Sequence, residues 1–564
     1  MRTLKKKLKQ ATSTRKGKII ALSILLVIMI AIGGAIAYWN IYRKQIIRIK
    51  LQDTVWDKSN GLYILRYDSL KLDEAAGNLS VANMTLRYDS SKYVALLEKN
   101  DAPPTLLRIK IPAIIVSGVK TPRALLDKQI VGKKLLIKNP VIDIIYTNAG
   151  KDSARNIPPK EVYEQILGEL DMIKIDTVEI SGAQITTSNI KTGKKKVEFS
   201  NTSILLIDVS IDEETGKDSN QLFFAKQLFL ESEKISFPSE DQPYNYVIDS
   251  VSLNSINNTA YAKKFRIVPL LKEDAFVKSL PTQDDRFDFS INNIRIKGLD
   301  APQLFNENIV ADSILVSSAS FKIYRDLSIP RDKRNRVGKY PHQLVDKIPI
   351  SILVKKMILS NTFVEYKEKS KITRQSGKVQ FHNVSATITN LTNNKDAVKA
   401  NNVMRADIST KFLNKAPLKV VWQFYLHNPK GRFDIKGNMG NIAGSDVNAL
   451  IEPMGPAKME KGQIKSLHFD FEGNNYGTDG TVKMLYTDLK LSVLEKDKGS
   501  KELDKKTLTS FVANIIIKNN NPSKDKDEPR VASVHFDRDT NRSIFHLVWK
   551  SIFKGVRESV GIKK

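Results

Sequence analysis

The sequence contains no cysteine, which excludes disulfide bonds, thiolate metal ligands and a cysteine nucleophile. Histidine is scarce, with six residues that all lie in the last two-fifths of the chain, and no two of them are spaced as a metal-binding pair. These are His342, His382, His427, His468, His535 and His546. No glycine-rich phosphate loop occurs, because GNMGNIAG (residues 437–444) has the wrong spacing and is typical of turn glycines. We therefore predict that the protein is not an enzyme and uses no cofactor or metal.

Acidic residues are fewer than basic ones. The chain has 61 Asp and Glu and 90 Lys and Arg, which give a net charge of +29. An excess of this size predicts an anionic partner, either nucleic acid or membrane headgroups. The cations are dispersed along the chain and form no nucleic-acid-binding motif, which favours the membrane. Acidic pairs such as Asp284-Asp285 stand in polar stretches, and we predict that they lie in solvated loops.

The N-terminus predicts a membrane segment. Residues 1–18 hold eight cations and no acid, and residues 19–39 form a run of 21 residues without a charge. At about 1.5 Å rise per residue this run spans the roughly 30 Å hydrocarbon core of a bilayer, with Tyr38 and Trp39 at its interface. We predict a cytoplasmic basic tail, a single transmembrane helix, and the remaining chain on the other side of the membrane. A cleaved signal peptide is the alternative, since Ala35-Ile36-Ala37 resembles a cleavage site.

The middle of the chain is repetitive. TLLRIKIPAIIVSGVKTPRALL (residues 105–126) returns as DRFDFSINNIRIKGLDAPQLFN (285–306), with its apolar positions in the same places at an offset of 180 residues. KVEFSNTSILLIDVS (196–210) returns as KVQFHNVSATITNLT (378–392) at an offset of 182. The sequence therefore predicts two tandem modules, residues 62–212 and 244–394. Each copy would present an unfinished surface that its neighbour extends.

Within each copy the apolar residues alternate with a period of two, which predicts half-buried strands and an all-β fold. The alternation changes phase at Pro112 in the first copy and at Asn292-Asn293 in the second, as a β-bulge or a tight turn requires. One amphipathic helix is predicted at residues 158–174. Alternation alone does not distinguish an open apolar groove from a closed core. The candidate groove or core residues are Leu107, Ile109, Ile111, Val197, Phe199, Phe287, Phe289, Ile291, Val379 and Phe381.

Residues 395–498 form a third region. In it NALIEP (448–453) is followed by a GxIxxLxFxF strand (462–471) and by GxVxxxYxDLxLxxL (480–494). In this order, after one N-terminal membrane helix and a long β region, these elements resemble the C-terminal region of AsmA-like proteins, including their DUF748-type relatives. The resemblance implies an elongated, curved, mostly antiparallel β-groove built from tandem repeats, as in the bridge-like lipid-transfer superfamily. Apolar residues would line its concave face.

The same resemblance implies a function. The protein would be a single-pass inner-membrane protein with its bulk in the periplasm of a bacterial cell envelope. Its groove would bind phospholipid acyl chains and convey them passively between membranes, in support of outer-membrane biogenesis and homeostasis. The implied partners are lipids, the inner membrane, and outer-membrane or other envelope proteins, but not nucleic acid. The alternative is a non-enzymatic scaffold of an envelope complex, whose β-modules pack as a dry core.

The C-terminal tail, residues 499–564, is predicted to be helical and amphipathic. In SIFHLVWKSIFKGVRESVGIKK (543–564) apolar residues spaced by four form a broad face, and basic residues lie opposite. Such a helix either lies on a membrane surface or caps the open end of the groove. Upstream, residues 508–519 are expected to form a second short helix. The candidate membrane-surface residues are Ile544, Val548, Trp549, Ile552, Lys550, Lys554 and Arg557.

Overall fold

A computed structural model describes residues 52–53, 55–57, 59–73, 75–119, 129–147, 171–193, 195–217, 222–239, 243–306, 308–371, 374–454, 457–493, 518–524 and 526–561. Strands account for 59% of the structure and helices for 15%, so the prediction of a mainly β protein is confirmed. The strands number 22 and belong to a large, mostly antiparallel sheet.

Several sequence predictions fall outside these residues. They are the basic tail 1–18, the transmembrane segment 19–39 and most of the helices predicted at 158–174 and 508–519. Where the segment 158–174 is described, Met172 already begins a strand, so the predicted helix extends too far. Within the described part of the chain, no helix is both long enough and apolar enough to cross a membrane.

The elements recur at the spacing of the sequence repeat. β4, β7 and β8 begin at residues 105, 172 and 195, and β12, β14 and β15 begin at 286, 351 and 376, which gives differences of 181, 179 and 181. The strands are β1 (Tyr63–Arg66), β2 (Ser69–Asp73), β3 (Asn78–Tyr88), β4 (Thr105–Ser117), β5 (Gln129–Lys138), β6 (Val141–Tyr146), β7 (Met172–Asn189), β8 (Lys195–Ile211), β9 (Ala225–Pro238), β10 (Tyr244–Asn254), β11 (Thr259–Pro269), β12 (Arg286–Lys297), β13 (Asn308–Asp326), β14 (Ser351–Lys369), β15 (Ser376–Thr392), β16 (Val403–Phe412), β17 (Ala416–Tyr425), β18 (Phe433–Met439), β19 (Ile442–Ala443), β20 (Ala457–Gly473), β21 (Gly477–Val493) and β22 (Val531–Asp537). The helices are α1 (Ser90–Glu98), α2 (Glu213–Lys217), α3 (Glu273–Lys278), α4 (Ala301–Phe305), α5 (Pro341–Val345), α6 (Lys395–Ala400), α7 (Asn448–Met454) and α8 (Ile544–Ser559).

The chain divides into two compact units, Met1–Phe265 with Arg295–Val310 and Arg266–Ile294 with Ala311–Lys564. In the first unit β1 and β2 both pair with β3, β3 pairs with β4, and β7 to β10 follow one another, all antiparallel. β5 and β6 pair antiparallel with β4 but parallel with β7, because a crossover connection and not a hairpin leads into β7. Since β10 pairs with β9, this sheet continues past the boundary predicted between the two modules.

The core of the first unit consists of transverse rows of aliphatic side chains that lie opposite one another on neighbouring strands. One complete row is Leu79, Val116, Leu135, Val178, Leu206 and Leu228. No member of this row is more than 6% exposed. Opposed aliphatic pairs are the stabilising unit of a sheet, and each fully buried side chain contributes about 1.5 to 3 kcal/mol. One face of this sheet is therefore a closed hydrophobic core.

Residues with a left-handed backbone conformation, that is a positive φ, accompany the change of phase in the alternation of buried and exposed side chains. We call this row of residues the seam. In β4 the buried positions change from Ile109 and Ile111 to Ile114 and beyond, with Pro112 between them, as predicted. Asn83 lies on the neighbouring strand at the same level and has φ +51°. Asparagine tolerates this region best among non-glycine residues, and one such residue turns the following side chains to the other face. Further members of the seam are Gly182, Asn201, Asn293, Asn361 and Asn383.

In the second unit β14 to β18 follow one another and continue into β20, β21 and β22, all antiparallel, with β19 also on β20. Here glycine faces phenylalanine across neighbouring strands, in the pairs Gly437 and Phe469, Phe433 and Gly473, and Phe471 and Gly480. A Cβ at Gly437 would lie 2.0 Å from the Phe469 ring. The glycines thus make room for rings that lie flat on the sheet, which accounts for Gly480 in the motif of the C-terminal region.

Candidate functional site

The candidate groove residues of the first copy divide into two classes. Ile109 is 1% exposed and Ile111 is 0% exposed. Ile109 lies opposite Leu86 and Ile142, and both of these are equally buried. The sequence left open whether these positions line a groove or a closed core. Ile109 and Ile111 lie in the closed core, where Ile111 is opposite Met84, which is 2% exposed. Leu107, Val197 and Phe199 remain partly exposed.

The five candidates of the second copy are all partly exposed. They are Phe287, Phe289, Ile291, Val379 and Phe381. The Phe289 ring centre lies 5.4 Å from that of Phe287 and 5.1 Å from that of Phe321, in edge-to-face or tilted geometry. Phe381 lies opposite Val364 on one neighbouring strand and opposite Phe412 on the other, with 5.8 Å between the two ring centres. Phe287 and Phe289 on β12 therefore lie together with Phe321 on β13, whereas Val379 and Phe381 pack against the hydrophobic core of the second unit.

We call the group Phe287, Phe289 and Phe321 the aromatic surface. Its rings lie at distances that favour aromatic pairs. All three are partly exposed, whereas Phe412 belongs to the hydrophobic core of the second unit and Phe381 packs against that core. Partly exposed aromatic rings lose part of the roughly 25 cal/mol per Å² that burial supplies, so an apolar ligand that covers them recovers this free energy. The chemistry available here is apolar contact.

A charged rim borders the aromatic surface. Asp285 lies directly before β12, two residues before Phe287. Arg325 donates to both carboxylate oxygens of Asp285, at 2.7 and 2.6 Å. Close by, Tyr366 donates to Glu368 at 2.7 Å, and burial, followed by the charge of Glu368, raises the pKa of Tyr366 so that it keeps its proton. An apolar face thus ends in a polar edge, as an amphipathic ligand requires.

Residues between β13 and β14 add further ion pairs to this rim. Arg334 bonds Asp284 at 2.9 Å and Asp332 at 2.8 Å, and Arg336 contacts Asp332 at 3.3 Å. The prediction of a solvated loop for Asp284-Asp285 is therefore wrong, because both carboxylates are held in ion pairs. Arginines 40 to 50 residues away supply the partners, and no local signal in the sequence connects them.

The C-terminal helix α8 packs against β21 and β22. Its Gly555 lies so close to the sheet that an added Cβ would be 2.4 Å from Val482. Ser551 shares a buried hydrogen bond of 2.6 Å with Thr478. Ile544 and Val548 are 2% and 8% exposed, so the expected single broad membrane face is corrected: half of it is the packing face of the helix.

The other half of the apolar residues of α8 points away from the sheet. Phe545, Trp549 and Phe553 are 61%, 40% and 41% exposed. Lys550 is exposed beside them, whereas Lys554 donates to the carbonyl oxygen of His535 at 2.7 Å. Arg557 and Ile552 are partly exposed. Of the predicted membrane-surface residues, Trp549 and Lys550 are therefore the most accessible.

No model of a known protein family matches the chain, and no curated protein matches its sequence.

Proposed function

We propose that this chain is a membrane-anchored protein of the bacterial cell envelope that binds phospholipid on an apolar β-surface and conveys it passively between membranes. The observation that carries the proposal is the aromatic surface on β12 and β13, with its partly exposed rings beside a charged rim. The predicted N-terminal anchor and the net charge of +29 favour a membrane setting.

The aromatic surface suits an acyl chain. Each methylene group that leaves water for such a surface contributes about 0.8 kcal/mol. The headgroup would stay at the rim formed by Asp285, Arg325 and their neighbours, where polar groups and water are available. The surface would therefore hold a lipid without any chemical step.

Photo-crosslinking in living cells tests this function. A photoreactive amino acid at Phe289 is expected to form adducts with phospholipid, detected by mass spectrometry of the purified full-length chain. The matched control is Asp288, the exposed neighbour whose side chain points to the opposite face. Adducts at position 289 and none at 288 would support the proposal. Equal labelling at both positions, or none at 289, would contradict it.

A scaffold without lipid is the second candidate, and the closed aliphatic core around Ile109 and Ile111 favours it. Phe289→Glu separates the two functions. On a surface open to water the charge is solvated, so the variant should fold and lose lipid adducts at a photoreactive Phe321. In a closed core the same charge would cost several kcal/mol and unfold the second unit.

A further inference from the structure

The outward half of α8 has an ordered pattern of its own. At 100° per residue, Phe545, Trp549 and Phe553 lie within an arc of about 80°, directed away from the buried residues. Trp549 and Phe553 stack with ring centres 6.4 Å apart, and the Lys550 ammonium lies 5.9 Å from the Phe553 ring. We call Phe545, Trp549 and Phe553 the aromatic stripe. The stripe is flanked on one side by basic residues.

The aromatic stripe is not needed to hold α8 in place. The helix is fixed by its other side, where Ile544, Leu547, Ser551 and Gly555 are buried against β21 and β22. Three large aromatic side chains with 61%, 40% and 41% exposure on one short helix form an apolar patch that soluble surfaces rarely keep without a partner. The packing of the helix therefore does not explain why these three side chains are exposed.

The stripe continues an apolar row of the sheet. The Phe545 ring lies 5.7 Å from that of Trp422, in perpendicular geometry. Trp422 itself stands in register with Ala406 and Ile435 on the apolar face of the second unit. A path of aromatic contacts thus leads from that face to the outside of α8.

The charge around the stripe suits an anionic partner. The helix contains Lys550, Lys554 and Arg557 and one acid, Glu558, which gives 3 − 1 = +2. Burial, and then the charges of Arg542 and Lys550, lower the pKa of His546 to about 4, so this residue is neutral at pH 7. An aromatic stripe beside basic residues is the arrangement of helices that lie at the headgroup level of a bilayer.

We propose that the aromatic stripe docks α8 onto the surface of an anionic phospholipid bilayer while its opposite face stays on β21 and β22. This inference rests on the proposed lipid-conveying function and adds the place at which a membrane meets the protein. Docking there would bring headgroups next to Trp422 and the apolar face behind it. A soluble protein or a second copy of the chain would be a different occupant, and the basic flank argues for a bilayer.

The absence of native cysteine allows a direct test, because one introduced cysteine gives a unique labelling site. The full-length chain carries an environment-sensitive NBD dye at Phe553→Cys, or at Glu558→Cys as the control, an exposed position on the opposite side of the helix from the aromatic stripe. It is held in nanodiscs and mixed with vesicles of phosphatidylglycerol and phosphatidylethanolamine, or of phosphatidylcholine. We expect at least a threefold rise in emission at position 553 with the anionic vesicles, and a much smaller rise at position 558 or with phosphatidylcholine.

A second pair of variants separates apolar docking from charge. The triple variant Phe545→Ser, Trp549→Ser, Phe553→Ser should lower anionic-vesicle binding at least tenfold with an unchanged melting temperature. The double variant Lys550→Gln, Arg557→Gln should lose the preference for anionic lipid. An unchanged dye at position 553 with both vesicles would overturn the proposal. So would a dye response that depends on protein concentration without vesicles, which would indicate a second copy of the chain.

The two proposals fail separately. If a photoreactive Phe289 gives lipid adducts while the dye at position 553 does not respond, lipid binding stands and docking through α8 falls. If the dye responds while Phe289 gives no adducts, α8 is a membrane contact on a protein that carries no lipid on its aromatic surface, and the lipid-conveying basis of the inference falls.

Discussion

The buried histidine of α5 should make the stability of the second unit depend on pH. His342 is 0% exposed and its ring lies 5.0 Å from that of Phe424. Among the residues that the structure describes, neither of its ring nitrogens has a hydrogen-bond partner. Burial lowers its pKa from 6.5 to about 4. The folded state therefore prefers the neutral ring. The stability that His342 supplies is complete above pH 6.5 and is lost as the pH falls from 6.5 towards 4.

The size of the effect follows from the two pKa values. At pH 5 protonation of this ring multiplies the statistical weight of the unfolded state by about 30. It leaves the statistical weight of the folded state almost unchanged. A factor of about 30 corresponds to about 2 kcal/mol of unfolding free energy at 25 °C. Between pH 7.5 and pH 5, His342 alone should therefore lower the stability of the second unit by about 2 kcal/mol.

The replacement His342→Phe isolates this contribution. Urea unfolding of the full-length chain in nanodiscs, followed by fluorescence of Trp422 beside Phe424, gives the free energy at both pH values. The variant should lose about 2 kcal/mol less than the native chain on acidification, and at pH 7.5 it should be equally stable or more stable, because two unbonded nitrogens are removed. His546, whose pKa is lowered in the same direction, acts in both proteins and cancels. A parallel loss in both proteins would refute the reasoning.

Four further substitutions test the packing and an ion pair. Gly437→Ala should lower the unfolding free energy by about 1 to 3 kcal/mol in urea titrations, because its Cβ meets the Phe469 ring, whereas Gly132→Ala, with its nearest neighbour 3.7 Å away, is the control and should change little. Arg325→Leu should lower it by up to about 3 kcal/mol, because Asp285, at 17% exposure, keeps only the longer contact to Arg336 at 3.9 Å. The double variant Arg325→Leu, Asp285→Leu should recover most of this loss by the same measurement. Equal losses in the single and double variants would contradict the ion-pair account.

The strands were predictable from the sequence, because a period of two requires only that one face be more apolar than the other. The change of phase at Pro112 was visible for the same reason. The degree of burial was not predictable, since Ile109 and Phe289 occupy equivalent positions in the repeat but differ in exposure. Burial depends on what neighbouring strands place opposite a residue, and that requires the register.

The face of α8 that remains free was also beyond the sequence. The pattern of SIFHLVWKSIFKGVRESVGIKK shows one broad apolar face, and the spacing of its apolar residues does not separate the packing side from the free side. These small residues, placed one turn apart, let the helix approach Val482 and bond Thr478. Small residues within an amphipathic helix were therefore the available signal for the buried side.

The two copies of the repeat differ in how deeply their equivalent residues are buried. In the first copy the positions Leu107, Ile109 and Ile111 are aliphatic, and the latter two are closed off by opposed aliphatic residues. In the second copy the equivalent positions are Phe287, Phe289 and Ile291, and all three stay partly exposed. At β12 the tilted and edge-to-face packing of Phe287, Phe289 and Phe321 leaves part of each ring exposed to water. Exchanging the two pairs tests this: Phe287→Leu with Phe289→Ile should stabilise the second unit in urea titrations and reduce lipid adducts at a photoreactive Phe321, and a stabilised variant with undiminished adducts would show that the rings are not what keeps the surface open.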